Sequence, residues 1–134
     1  MKHCQEFAQI DCPFDTVFDL FSDPKRLSEW AIEYCQSVTP VEGGYVAQTV
    51  EGERCFDVRS DRTTGVADVC SGSSHDELTD VLYIRVVPAS AESTFVHFLY
   101  PPTAPVPPEV LALMKTGLTK EVAHTKAMLE GVNA

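Results

Sequence analysis

Three side chains in the second half of the chain have the right chemistry to work inside an apolar environment: Arg85, His97 and Tyr100. An imidazole titrates near neutrality and serves as general acid or base. A phenol can orient an oxygen, and a guanidinium grips a carboxylate or enolate with two parallel hydrogen bonds. Each lies in an alternating stretch, so its use depends on which face of a strand turns inward. In VLYIRVV (81–87), Leu82, Ile84 and Val86 share one face, while Val81, Tyr83, Arg85 and Val87 share the other. The first face is purely apolar and belongs against the core, which places Arg85 outside; the reversed register would make it a buried cation. In STFVHFLY (93–100), Phe95, His97 and Leu99 alternate with Thr94, Val96, Phe98 and Tyr100. Both faces are apolar enough to point inward, so either His97 or Tyr100 leads into the interior, but not both while the strand stays regular.

The other polar residues suggest less. Phe56 and Val58 point inward in RCFDVRS, leaving Asp57 and Arg59 outside, and Asp68 faces out if Ala67 and Val69 face in. Such charges form cross-strand pairs worth at most about 1 kcal/mol each. His75, Asp76 and Glu77 follow a turn and read as an exposed loop, and His3 and His124 have no partner pattern. The five cysteines (4, 12, 35, 55 and 70) include no CxxC pair and no histidine at zinc spacing, so no metal site is expected. No nucleophile elbow, P-loop or dinucleotide fingerprint occurs, and no cofactor is expected.

Composition narrows the partners. The formal net charge of −10 repels phosphate backbones and offers no basic stripe, which argues against nucleic acid. It also disfavours anionic membrane surfaces, and no segment is apolar enough to insert into a bilayer. The start MKHCQEFAQIDCP lacks a secretion-signal pattern, and the odd cysteine count suits a reduced, cytoplasmic protein. A length of 134 residues predicts one domain over 1–134.

The elements that must position the candidates can be read in order. Gln5 to Ile10 predicts a first strand. Pro13 suits the first turn of a helix whose apolar stripe is Phe14, Val17, Phe18 and Phe21. Asp23-Pro24 restarts the pattern, with Asp23 as cap and Pro24 in the first helical position, and a second short helix ends at Trp30, the only tryptophan. From about residue 33 to 100, short segments rich in Val, Thr, Phe and Tyr alternate with turns, as in an antiparallel meander of hairpins. Pro107, Pro108 and Glu109 open a long terminal helix; Leu111, Met114, Leu118, Val122, Thr125 and Leu129 lie on one face, and Gly131 follows its end. Gly117 interrupts that helix, and close backbone approach or a bend over a cavity would account for it.

The stretch IDCPFDTVFDLFSDPKRLSEW, with Asp23, Pro24 and Trp30, resembles the entry segment of the polyketide cyclase/dehydrase-like branch of the START-like, pollen-allergen-like helix-grip (SRPBCC) superfamily. DRTTGVAD, YIRVVP at 83–88 and the closing KAMLEG resemble the same group. The resemblance spans the chain and implies an α+β helix-grip fold: a curved seven-stranded antiparallel sheet around a long C-terminal helix, with two short helices closing one end. It carries over no catalytic residue, because members of the superfamily share no catalytic motif. The expected partner is a small hydrophobic molecule, such as a lipid, polyketide or aromatic metabolite. Its expected wall includes Phe21, Trp30, Phe56, Val58 and Ile84 from the first helices and the sheet. Phe98, Met114, Leu118 and Val122 complete that wall, with His97 or Tyr100 as polar handle. An enzyme of cyclase, aromatase or dehydratase type, using a cavity His or Tyr, is the alternative. A protein-interaction module with a collapsed cavity is the third reading, and a homodimer joined at a sheet edge or outer face is left open.

Overall fold

The computed structural model describes residues 2–131. β1 is Cys4–Ile10. Pro13, in extended conformation, is the N-cap of α1 (Phe14–Ser22), and its carbonyl accepts the N–H of Val17 at 3.2 Å. The proline thus stands one residue before the helix instead of inside its first turn; the φ that its ring fixes suits both places. Asp23 Oδ1 accepts the N–H of Lys25 at 3.0 Å and caps a 3-10 turn (Pro24–Arg26), which runs on into α2 (Leu27–Trp30).

Six strands follow: β2 (Cys35–Val41), β3 (Gly44–Thr49), β4 (Gly52–Asp61), β5 (Val66–Gly72), β6 (Asp80–Ser90) and β7 (Ser93–Tyr100). They form one sheet in the order β1-β7-β6-β5-β4-β3-β2, with every pair antiparallel. β1 and β2 therefore lie at opposite edges, and α1 and α2 carry the chain between them. Register shifts between Cys35 and Ser37 and between Pro88 and Ser90 add local bends. Another irregularity lies between β5 and β6, where the side chain of Asp68 takes over a ladder position. Its Oδ1 accepts the N–H of Ile84 at 3.1 Å and a hydrogen bond from Arg85 Nη1 at 2.6 Å. Beside it, Gly65 (φ +72°) lies so close to β6 that a Cβ would fall 2.0 Å from the Val86 carbonyl oxygen.

The apolar stripe of α1 fills one end of the interior. Val17, Phe18, Leu20 and Phe21 are buried, and Phe14 is half-buried against Phe18. Phe21 meets Trp30 edge-on at 5.1 Å and Phe98 at 5.3 Å, a contact geometry worth about 1 kcal/mol per pair beyond the area buried. Arg62 clasps the plug from outside, bonding Asp15 at 2.7 Å and also Asp19, with its guanidinium 4.7 Å above the Phe18 ring.

α3 (Pro108–Leu129) lies along the inner face of the sheet, with Leu111, Leu118, Glu121, Val122 and Thr125 buried and Met114 and Leu129 partly so. Its C-terminal end is tied to β1 and the residue after it. Lys126 Nζ donates to the Gln9 carbonyl at 2.7 Å, and Glu130 Oε2 accepts the N–H of Asp11 at 2.8 Å. Among the described residues the N-terminal half has one such tie, from the Cys4 thiol to the Leu111 carbonyl, and the interior beneath it is not filled.

Candidate functional site

A hollow of about 410 Å³ lies between the N-terminal half of α3, α2 and the inner face of the sheet. The strands that contribute do so by alternation. β4 sends in Phe56 and, two residues earlier, Arg54; β5 sends in Val69 and Ser71; β6 sends in Leu82 and Asp80; β7 ends on Tyr100. α2 and its exit supply Leu27, Trp30 and Ala31, and α3 supplies Met114, Gly117 and Leu118. Val50, at 66% exposure, and Leu113, at 73%, line the hollow yet face water, so they mark an apolar mouth between the β3–β4 turn and α3.

Polar groups enter this wall from both the sheet and α3. Tyr100 Oη donates to Asp80 Oδ1 at 2.7 Å; burial first, then this carboxylate, pushes the phenol pKa well up, so it stays protonated. Burial likewise raises the Tyr34 phenol. Glu121 lies inside the helix face, 7% exposed, and Oε2 accepts the backbone N–H groups of Glu33 at 3.1 Å and Tyr34 at 3.2 Å. Burial pushes its pKa up to about 7, against the opposing pull of those two N–H groups and with some help from the nearby Glu33 charge. Arg54 Nε is buried and has no hydrogen-bond partner. Cys4 lies on the wall as a neutral thiol, its pKa raised by burial. Among the described residues no three His, Cys, Asp or Glu side chains gather as a metal-ligand set, and no helix is long and apolar enough to cross a membrane.

Solved structures share this arrangement. Ara h 8.0201 covers 95% of the chain and is itself covered to 96%, at 18% identity and a TM-score of 0.61. This chain has the helix-grip fold. The same helix-grip scaffold is found in the di-domain ARO/CYC BexL from the BE-7585A biosynthetic pathway (18% identity, TM-score 0.71). That match covers 94% of this chain and 45% of BexL. It is found again in the Aha1 dimer from Colwellia psychrerythraea (13% identity, TM-score 0.70, 97% of both chains). At these identities the likeness is one of fold. No protein-family model matches the chain, and no curated protein matches its sequence.

Within the helix-grip frame, the residues expected on the wall separate into two groups. Trp30, Phe56, Met114, Leu118 and Tyr100 line the hollow. Phe21, Val58, Ile84, Phe98 and Val122 do not; they pack into or against the core, where Phe21 meets Trp30 and Phe98. His97 is on the outer face, stacked on Phe7 with centroids 4.1 Å apart and Nε2 3.3 Å from Gln5 Oε1, so it is not a cavity base. Arg85 is also outside, 43% exposed and paired with Asp68, so it cannot grip a bound molecule. Asp68 faces the same side but is buried, not wet.

Among the wall residues missing from the expected set, four bear polar or charged groups that matter below: Tyr34, Arg54, Asp80 and Glu121. Three of them were signalled. Arg54 shares the parity of Phe56 and Val58, Asp80 that of Leu82 and Ile84, and Glu121 falls three residues after Leu118 on the buried face of α3. Tyr34 lies in a turn, where periodicity gives no direction.

Proposed function

We propose that the protein binds one small, mainly apolar molecule in the hollow beneath α3. The observation that carries this reading is the open space itself: about 410 Å³, walled by Trp30, Phe56, Leu82, Met114 and Leu118, with a few polar groups among them. Pockets for small organic molecules typically have this size and this mixture. A collapsed interior, which an interaction module would require, does not suit such a volume. The ARO/CYC neighbour keeps a cyclase-type reaction as an alternative, but His97 lies outside and the Tyr100 phenol holds its proton, so neither supplies a base.

The test is titration with Nile red, an uncharged dye whose emission brightens in apolar surroundings, read together with Trp30 emission. Saturable binding with one site is expected, and Ala47→Phe, which fills the wall beside Arg54, should abolish it while circular dichroism stays unchanged. Dye binding that survives Ala47→Phe at full strength would place the dye elsewhere and sink the proposal.

Two further features of the reading have support. The five free thiols suit a reducing compartment such as the cytoplasm. The Aha1 neighbour is a dimer, and in this chain Phe7, Val87 and Phe95 stay exposed on the outer face of β1, β6 and β7, so a homodimer through that face is the form to look for by native mass spectrometry.

A further inference from the structure

Arg54 is placed inward by β4, opposite Ala47 on β3, and shares the wall of the hollow with Ser71, Asp80 and Tyr100. Its Nε has lost contact with water and has found no acceptor in the protein. Among the described residues it makes no ion pair. Asp80, on the same wall, receives the Tyr100 hydroxyl on Oδ1 and no hydrogen bond from Arg54. A buried donor left without an acceptor is rare in folded proteins and calls for a partner from outside the chain.

We propose that Arg54 is the recognition residue of the hollow, and that the bound molecule presents to it an uncharged oxygen acceptor, a ketone, ester or amide carbonyl. This rests on the binding reading above and goes on to name the ligand chemistry. The choice of an uncharged group follows from the rest of the wall. Four carboxylates, Glu33, Glu51, Asp80 and Glu121, line the same hollow, and Arg54 is its one cation. A carboxylate ligand would gain one cation but meet the carboxylates of Glu33, Glu51 and Asp80, and that of Glu121 as well once it loses its proton near pH 7. An amine would be drawn to the carboxylates, yet it has no lone pair to offer Nε once protonated, and it would share the site with a guanidinium. A neutral carbonyl accepts the orphaned N–H and brings no charge that must shed its water. Its apolar remainder then lies against Trp30, Phe56, Leu82 and Met114.

Four naphthalenes of matched size separate these cases: 2-acetonaphthone, 2-naphthoate, 2-naphthylmethylamine and 2-ethylnaphthalene, each competed against Nile red. The ketone should displace the dye about tenfold more tightly than the hydrocarbon, the usual reward for a hydrogen bond to a charged donor. Arg54→Met, which keeps the length of the side chain, should remove that gap and leave the hydrocarbon unchanged. Naphthoate or the amine binding best would overturn the choice of an uncharged acceptor. Equal affinities for ketone and hydrocarbon, or a ketone advantage that survives Arg54→Met, would overturn the role of Arg54. Failure of Nile red itself to bind would remove the parent reading and this one with it, an outcome distinct from the others.

Discussion

The carboxylate of Glu121, on the long helix, accepts the backbone N–H of Tyr34 at 3.2 Å, and so joins α3 to the turn that leads from α2 into β2. The same oxygen holds Glu33 at 3.1 Å, and beyond it Lys120 Nζ lies 3.7 Å from the Glu33 carboxylate. One buried side chain therefore ties together two walls of the hollow.

That carboxylate should make stability depend on pH. The folded state holds the Glu121 proton up to about pH 7, whereas the unfolded chain releases it near 4.5. Stability from this group is therefore highest below pH 4.5, falls as pH rises to about 7 and is level above that. The drop is on the order of 3 kcal/mol, and Glu121→Gln should remove it, since the amide oxygen still accepts an N–H and carries no charge. Urea unfolding of both proteins between pH 4.5 and 8 gives the comparison. Parallel profiles would show that another group carries the dependence.

Asp68 performs a different task on the outer side. It stands in for a ladder carbonyl opposite Ile84 and neutralises Arg85, while being only 7% exposed. Asp68→Ala should cost about 2 kcal/mol, less than breaking a fully buried pair because Arg85 can turn to water. Asp68→Asn should cost less again, because its amide oxygen can still receive the Ile84 N–H. Denaturant midpoints for the two variants in the reverse order would contradict the assignment.

Gly117 offers a prediction with two opposed signs. A Cβ there would meet only Glu33 Cβ, at 3.6 Å, which is ordinary contact, so close backbone approach is not what keeps this glycine in the helix. Gly117→Ala should stabilise the protein by about 1 kcal/mol through helix propensity. Because Gly117 lines the hollow, the added methyl should also weaken Nile red binding. Thermal melting and dye titration on the same sample test both halves; a fall in melting temperature would mean the helix needs glycine for its backbone.

Much of this architecture was legible because local rules agreed with the global fold. Asp23-Pro24 restarts a helix as its chemistry dictates, and the apolar face of VLYIRVV meets the core, leaving Arg85 outside. The direction of His97 was not legible for a physical reason. Its face also carries Phe95, and the neighbouring strands add Phe7 and Val87, so the outer surface is as greasy there as the inner one. The wall of the hollow was only half legible. Alternation tells that Ile84 points inward, but not that Phe21, packed against Trp30 and Phe98, already fills that end of the interior. How far an interior is filled depends on where α1 settles, and this is decided by contacts distant in sequence.

The strand order also bears on how the molecule comes into being. Every neighbouring pair in the sheet is a sequential hairpin except β1 and β7, where Cys4 lies opposite Tyr100. A chain leaving the ribosome releases its first strand long before the edge that receives it has been synthesised. Hairpins β2 to β7 can zip in order of appearance, while the opening strand must wait and then close a loop that spans the whole meander, from Ile10 to Thr94, a slow step dominated by lost chain entropy. Until that moment Phe7 and Ile10 have no partner strand, so this interval is when a newly made molecule is most exposed to aggregation.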